Sequence, residues 1–170
     1  PHEITHLLIH ALTTPEGYKN VPDWLDEGLA TSNEQLPTPE YAVALETARE
    51  AGQLLPLEQL CVPFSPDPRT AVLSYAQSAS VVDFIQEHHG AEGIRRLLSA
   101  YAEGASCKSG VEDALNTSFA RLEADWRMSL ESQHGWLAVV DKAGAWIALS
   151  LLGLLLAVPM IGRVGRAPEI

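Results

Sequence analysis

His2-Glu3-Ile4-Thr5-His6, opening the longer stretch HEITHLLIHAL over residues 2–12, is the segment on which the reading of this chain turns. Two histidines four positions apart on a helix lie one turn above each other, so both imidazoles can reach one metal ion. Glu3 lies close to the same face and can meet a metal-bound water as general base. Ile4, Leu7, Leu8, Ala11 and Leu12 recur at helical spacing, which predicts one buried apolar stripe. His10 continues the four-residue series, but eight residues of helix rise about 12 Å, too far for both ends to reach one ion. It reads as a core-edge histidine or one that supports a ligand from behind.

A catalytic zinc wants three protein ligands and one open position. The next block, Trp24-Leu25-Asp26-Glu27-Gly28-Leu29-Ala30, offers the third. Glu27 follows His6 by 21 positions, through a turn-rich stretch and onto a second helix that can fold back beside the first. Asp26, next to it, either orients a histidine or faces solvent.

The pair HEITH…WLDEGLA resembles the gluzincin clan of zinc peptidases, in particular the peptidase MA group. The resemblance implies Zn2+ bound by His2, His6 and Glu27, with Glu3 as the base. More loosely, packing patterns carry it from residue 1 to about 128. It implies the helical C-terminal half of a gluzincin catalytic domain, with the chain start read as the edge of a longer protein. Peptidases of this kind often stabilise the developing oxyanion with a downstream Tyr or His, and Tyr75 is the candidate, with Tyr41 and Tyr101 competing.

Elsewhere the chain reads as nearly all helix. Helices are expected over Pro22–Ala30, from Thr38-Pro39-Glu40 to Gly52, over Val72–His89 with Gly90 as its end, and over Ala91–Glu103. Ser109-Gly110-Val111-Glu112 has capping-box spacing, and the last helix of this region turns Phe119, Leu122 and Trp126 to one face. Residues 53–70, broken by Pro56, Pro63, Pro66 and Pro68, are expected to be irregular. His88 and His89 close a helix and read as structural. Cys61 and Cys107 either pair in an oxidising compartment or stay as two buried thiols.

The remaining signals concern location and partners. A net charge of −11, from 22 acidic and 11 basic residues, argues against a nucleic-acid partner. Residues 143–162 hold no charge and match in length one transmembrane helix of about 30 Å. Arg163 and Arg166 follow it, which predicts a cytoplasmic tail at 163–170 and an extracytoplasmic catalytic region at 1–134, joined by a linker at 135–142. The expected fold class is thus mainly α, a gluzincin helical half followed by one transmembrane helix. The expected function is a membrane-anchored zinc metallopeptidase acting on a peptide or protein substrate. The alternative is an inactive peptide-binding module on the same scaffold. A protease working inside the bilayer fits poorly, because Asp23, Asp26 and Glu34 surround Glu27 with aqueous chemistry.

Overall fold

The computed structural model describes residues 1–34 and 38–131. The chain divides into two units, Pro1–Met128 and Ser129–Ile170; of the second, only 129–131 are described. The first unit is helical among its described residues. Its elements are α1 (His2–Tyr18), α2 (Asp23–Ser32), α3 (Pro39–Glu50), a 3-10 turn (Leu57–Cys61), α4 (Pro68–Ala102) and α5 (Cys107–Leu115). A further helix, α6, covers 119–131.

α4 is the spine against which α1, α2, α3 and α5 all pack. Asp67 opens it by accepting from the Thr70 amide at 2.9 Å, and Pro68 sits in its first turn, where a missing N–H costs nothing. The expected break at Gly90 is present as a kink (φ 65°, ψ −175°), so two helical pieces run on from each other. The core between the elements holds Trp24, Leu25, Leu57, Val81, Ile85, Leu97, Tyr101 and Val111, all fully buried. On α6, Phe119, Leu122 and Trp126 face inward as their spacing predicts, and the Trp126 indole N–H donates to Ser80 Oγ at 3.1 Å. Fully buried Gln77 ties the irregular 53–56 strip to α4: its carboxamide accepts from Leu55 N at 2.8 Å and donates to Leu55 O at 3.1 Å. Cys61 and Cys107 form a disulfide with Cα atoms 6.0 Å apart, joining the 3-10 turn to the start of α5.

α2 approaches α4 closely enough to exclude a side chain at one point. A Cβ on Gly28 would lie 2.6 Å from Ser78 O and 2.7 Å from a Val82 methyl. The residue after Glu27 is therefore glycine for contact, and that contact sets where Glu27 stands.

Several expectations are corrected. The apolar stripe of α1 is not the buried face: Ile4, Leu7, Leu8 and Leu12 are 60%, 69%, 58% and 71% exposed. The inward face carries Ile9, Thr13 and Gly17, because α1 turns its histidine side toward α2. α1 also runs on past Thr13 to Tyr18, across a kink at Thr14 (φ 63°, ψ 159°) just before Pro15. That conformation is essentially restricted to glycine and costs roughly 1–3 kcal/mol in another residue. The capping box of α5 lies three residues earlier than its expected place, with Ser106 and Ser109 exchanging side-chain and backbone bonds.

The fold class is corrected as well. No helix among the described residues is long and apolar enough to cross a membrane. The longest, α4, carries Arg69, Asp83, Glu87, Glu92, Arg95 and Arg96. Among the described residues the fold is mainly α, with no transmembrane helix. The span expected at 143–162 lies outside the described residues, as do the linker at 135–142 and the tail at 163–170.

Candidate metal centre

α1 and α2 meet along the face that carries His2, His6 and Glu27. The two imidazoles, one turn apart, have ring centroids 4.9 Å apart at a steep angle. His2 Nε2 lies 3.4 Å and His6 Nε2 3.7 Å from the same atom, Glu27 Oε2. These three residues each offer one donor atom, all within 4.8 Å of one another.

Whether zinc fits can be judged from these atoms. Ligands about 2.0–2.1 Å from zinc at tetrahedral angles stand roughly 3.4 Å apart. The two Nε2···Oε2 separations, 3.4 and 3.7 Å, are near that value. Glu27 Oε2 is moreover buried and has no hydrogen-bond partner. A buried carboxylate oxygen without a donor is costly unless something cationic meets it. The donor set of two nitrogens and one oxygen is that of a catalytic zinc site. The residues fit the ion.

Both imidazoles are held from behind. His2 Nδ1 pairs with Glu34 Oε1 at 2.9 Å, and His6 Nδ1 with Asp26 Oδ1 at 3.0 Å. A carboxylate accepts, so each Nδ1 donates, which leaves each Nε2 as the nitrogen that would bind an ion beside Glu27. Asp26 in turn accepts from the Tyr18 hydroxyl at 2.6 Å.

The electrostatics follow from this crowding. Burial alone would lower the His6 pKa, but the Asp26 hydrogen bond and the charges of Asp26, Glu27 and Glu3 outweigh it and hold it above the ordinary imidazole value. Burial raises the Glu27 carboxyl, with His6 opposing and Asp26 adding. Burial, then the Asp26 hydrogen bond, pushes the Tyr18 phenol up. A metal held by His6 and Glu27 would have to displace any proton on their ligand atoms.

Glu3 is exposed, beside His2 on α1, and its charge is felt at His6. Tyr75 on α4 is half-buried between Tyr41, stacked at 6.3 Å, and Phe64, edge-on at 5.1 Å. The Tyr75 phenol is raised by burial and then by the charges of Glu27 and Asp23. Tyr41 is raised by burial and then by Glu34. Both phenols thus feel the charge of Glu27. Tyr101 does not compete: it is fully buried and donates to Cys107 O at 2.9 Å. His10 is exposed, its ring edge-on to Tyr18 at 5.3 Å. His88 Nδ1 bonds Phe84 O at 2.8 Å within its own helix.

The supporting roles of two residues of this centre escaped the reading of the sequence, which named Glu34 only as an aqueous neighbour of Glu27. Glu34 stands seven positions after Glu27, two helical turns on, a spacing that could have flagged it. Tyr18 gave no such signal, because its position depends on the kink at Thr14.

No curated protein and no solved structure matches the chain. A family profile does match, that of the Peptidase MA superfamily, over residues 1–132 of the 170. That stretch contains every residue of the metal centre, and the chain belongs to the Peptidase MA superfamily.

Proposed function

We propose that this chain is a zinc metallopeptidase of the gluzincin type, with His2, His6 and Glu27 as ligands and Glu3 as general base. The observation that carries the reading is Glu27 Oε2, buried without a hydrogen-bond partner and facing the Nε2 atoms of both histidines. Membership of a superfamily that is generally zinc-dependent supports it. A bound zinc would supply a lowered pKa to a water molecule and polarisation to a peptide carbonyl.

The chain's own groups do the rest. Glu3 takes the proton from the attacking water and returns it to the departing amine, so the peptide bond breaks into a carboxylate and an amine. Asp26 and Glu34 keep both imidazoles in one tautomer throughout. The Tyr75 hydroxyl donates to the carbonyl oxygen as it gains charge. The Cys61–Cys107 disulfide supports an oxidising, extracytoplasmic setting for this region.

The test is Glu3→Gln. The variant should keep one zinc per chain and lose about 10²–10⁴-fold in hydrolysis of a peptide library. Turnover near wild type would assign the base elsewhere. A wild-type chain that holds zinc and binds peptides without cleaving them would be a binding module instead.

A further inference from the structure

Asp26 uses both of its carboxylate oxygens: Oδ1 accepts from His6 Nδ1 at 3.0 Å, and Oδ2 from the Tyr18 hydroxyl at 2.6 Å. A carboxylate held at one oxygen can still swing about its side-chain torsions. Held at both, it offers the imidazole a fixed acceptor. The backbone is bent to make this possible. Thr14 adopts φ 63° and ψ 159°, a conformation almost confined to glycine, and the kink redirects the last turn of α1. Gly17 then lies so close to α4 that a Cβ would stand 2.7 Å from the Ala102 Cα. Two unusual backbone features therefore precede the residue whose hydroxyl reaches Asp26. Strained conformations of this kind persist where the surroundings over-determine them, and they cluster at working sites.

We propose that Tyr18 is a positioning residue of the metal centre, acting on His6 through Asp26. This rests on the reading of His2, His6 and Glu27 as zinc ligands. The phenol touches neither ion nor substrate; it fixes the carboxylate that fixes the imidazole, so that His6 Nε2 stays aimed at the point it shares with His2 and Glu27. Supports behind metal-ligating histidines typically govern affinity by 10–100-fold, and a support one step further out should govern it more weakly.

The experiment measures zinc affinity by competition with a chromophoric chelator, using the whole chain. Asp26→Ala should weaken binding by about 10–100-fold. Tyr18→Phe, which keeps the ring against His10, should weaken it by about 3- to 10-fold, the worth of one net hydrogen bond. The double variant should bind no more weakly than Asp26→Ala alone, since Tyr18 has no route to the ion except Asp26. Tyr18→Trp, which also lacks the phenol, provides a second reading wherever one variant loses wild-type circular dichroism. Cobalt-loaded Tyr18→Phe should show altered visible bands, which a merely structural role would leave unchanged. Wild-type affinity in Tyr18→Phe, or fully additive losses in the double variant, would overturn the proposal. Failure of the wild-type chain to bind zinc would instead remove the ligand reading beneath it.

Discussion

At the scale of single residues, the centre is a set of acids and bases whose protons would compete with a bound ion. The ligand imidazoles must be neutral to bind metal, and His6 holds its proton more tightly than an ordinary imidazole because of Asp26. Zinc affinity should therefore fall as pH drops, and the fall should begin above the ordinary histidine value of about 6.5. Asp26→Asn removes the charge that raises His6, so its onset should move to lower pH in a titration of apparent affinity. An onset unchanged in that variant would contradict the assignment of Asp26. Gly28→Ala carries a second expectation: the new Cβ meets Ser78 O at 2.6 Å, so α2 must move. The cost should be about 1–3 kcal/mol in urea unfolding, with weaker zinc binding because Glu27 moves with its neighbour. The grouping of His2 with His6 was legible in the sequence, since a four-residue spacing puts them on one face whatever surrounds them. The residues behind them were less so. Glu34 and Tyr18 act across element boundaries, and their reach depends on where α2 ends and on how α1 bends.

Among the elements, α1 separates two readings that periodicity alone could not. The spacing of Ile4, Leu7, Leu8 and Leu12 marks an apolar face, and a stripe of that width ordinarily points to the core. The structure turns His2, His6 and Ile9 inward instead, leaving the stripe mostly exposed. Periodicity finds a face; what the face packs against is tertiary information. In this chain Leu7→Gln should therefore change stability by no more than about 0.5 kcal/mol. A loss of several kcal/mol in a chemical melt would show that the stripe is buried. The kink gives a sharper case. Thr14→Gly relieves a positive φ without disturbing the side chains that matter, and should leave stability unchanged or raise it by up to about 1 kcal/mol. Destabilisation would mean that the threonine hydroxyl, 3.4 Å from the Gly17 amide, outweighs the strain. Prolines and glycines were read more surely. Pro39 marks a start and Gly90 a break because their backbone preferences are local, whereas Pro68, read as a breaker of an irregular stretch, opens α4, and Thr14 breaks α1 against its own preference.

For the whole unit Pro1–Met128, the disulfide is a covalent restraint that closes a separation of 46 residues between the 3-10 turn and α5. Chain entropy for a loop of that size is worth about 4 kcal/mol. Cys61→Ser with Cys107→Ser should lower unfolding stability by about 2–4 kcal/mol, and equal melts with and without reductant would contradict a formed bond. The sequence left that pairing open, because two cysteines far apart in the chain are brought together only by the folded helices. The mainly helical architecture was legible from caps and periodicity.

The central claim is that two imidazoles and one carboxylate of this chain converge on a single zinc ion. Zinc K-edge X-ray absorption on the chain loaded with one equivalent tests it most directly. The account predicts a four-coordinate first shell of nitrogen and oxygen at about 2.0–2.2 Å, with the multiple-scattering signature of two imidazoles. His6→Ala should reduce that signature to one imidazole, and Glu27→Ala should leave both imidazoles while weakening retention of the metal. A spectrum of hydrated zinc without imidazole scattering, or one unchanged in His6→Ala, would contradict it.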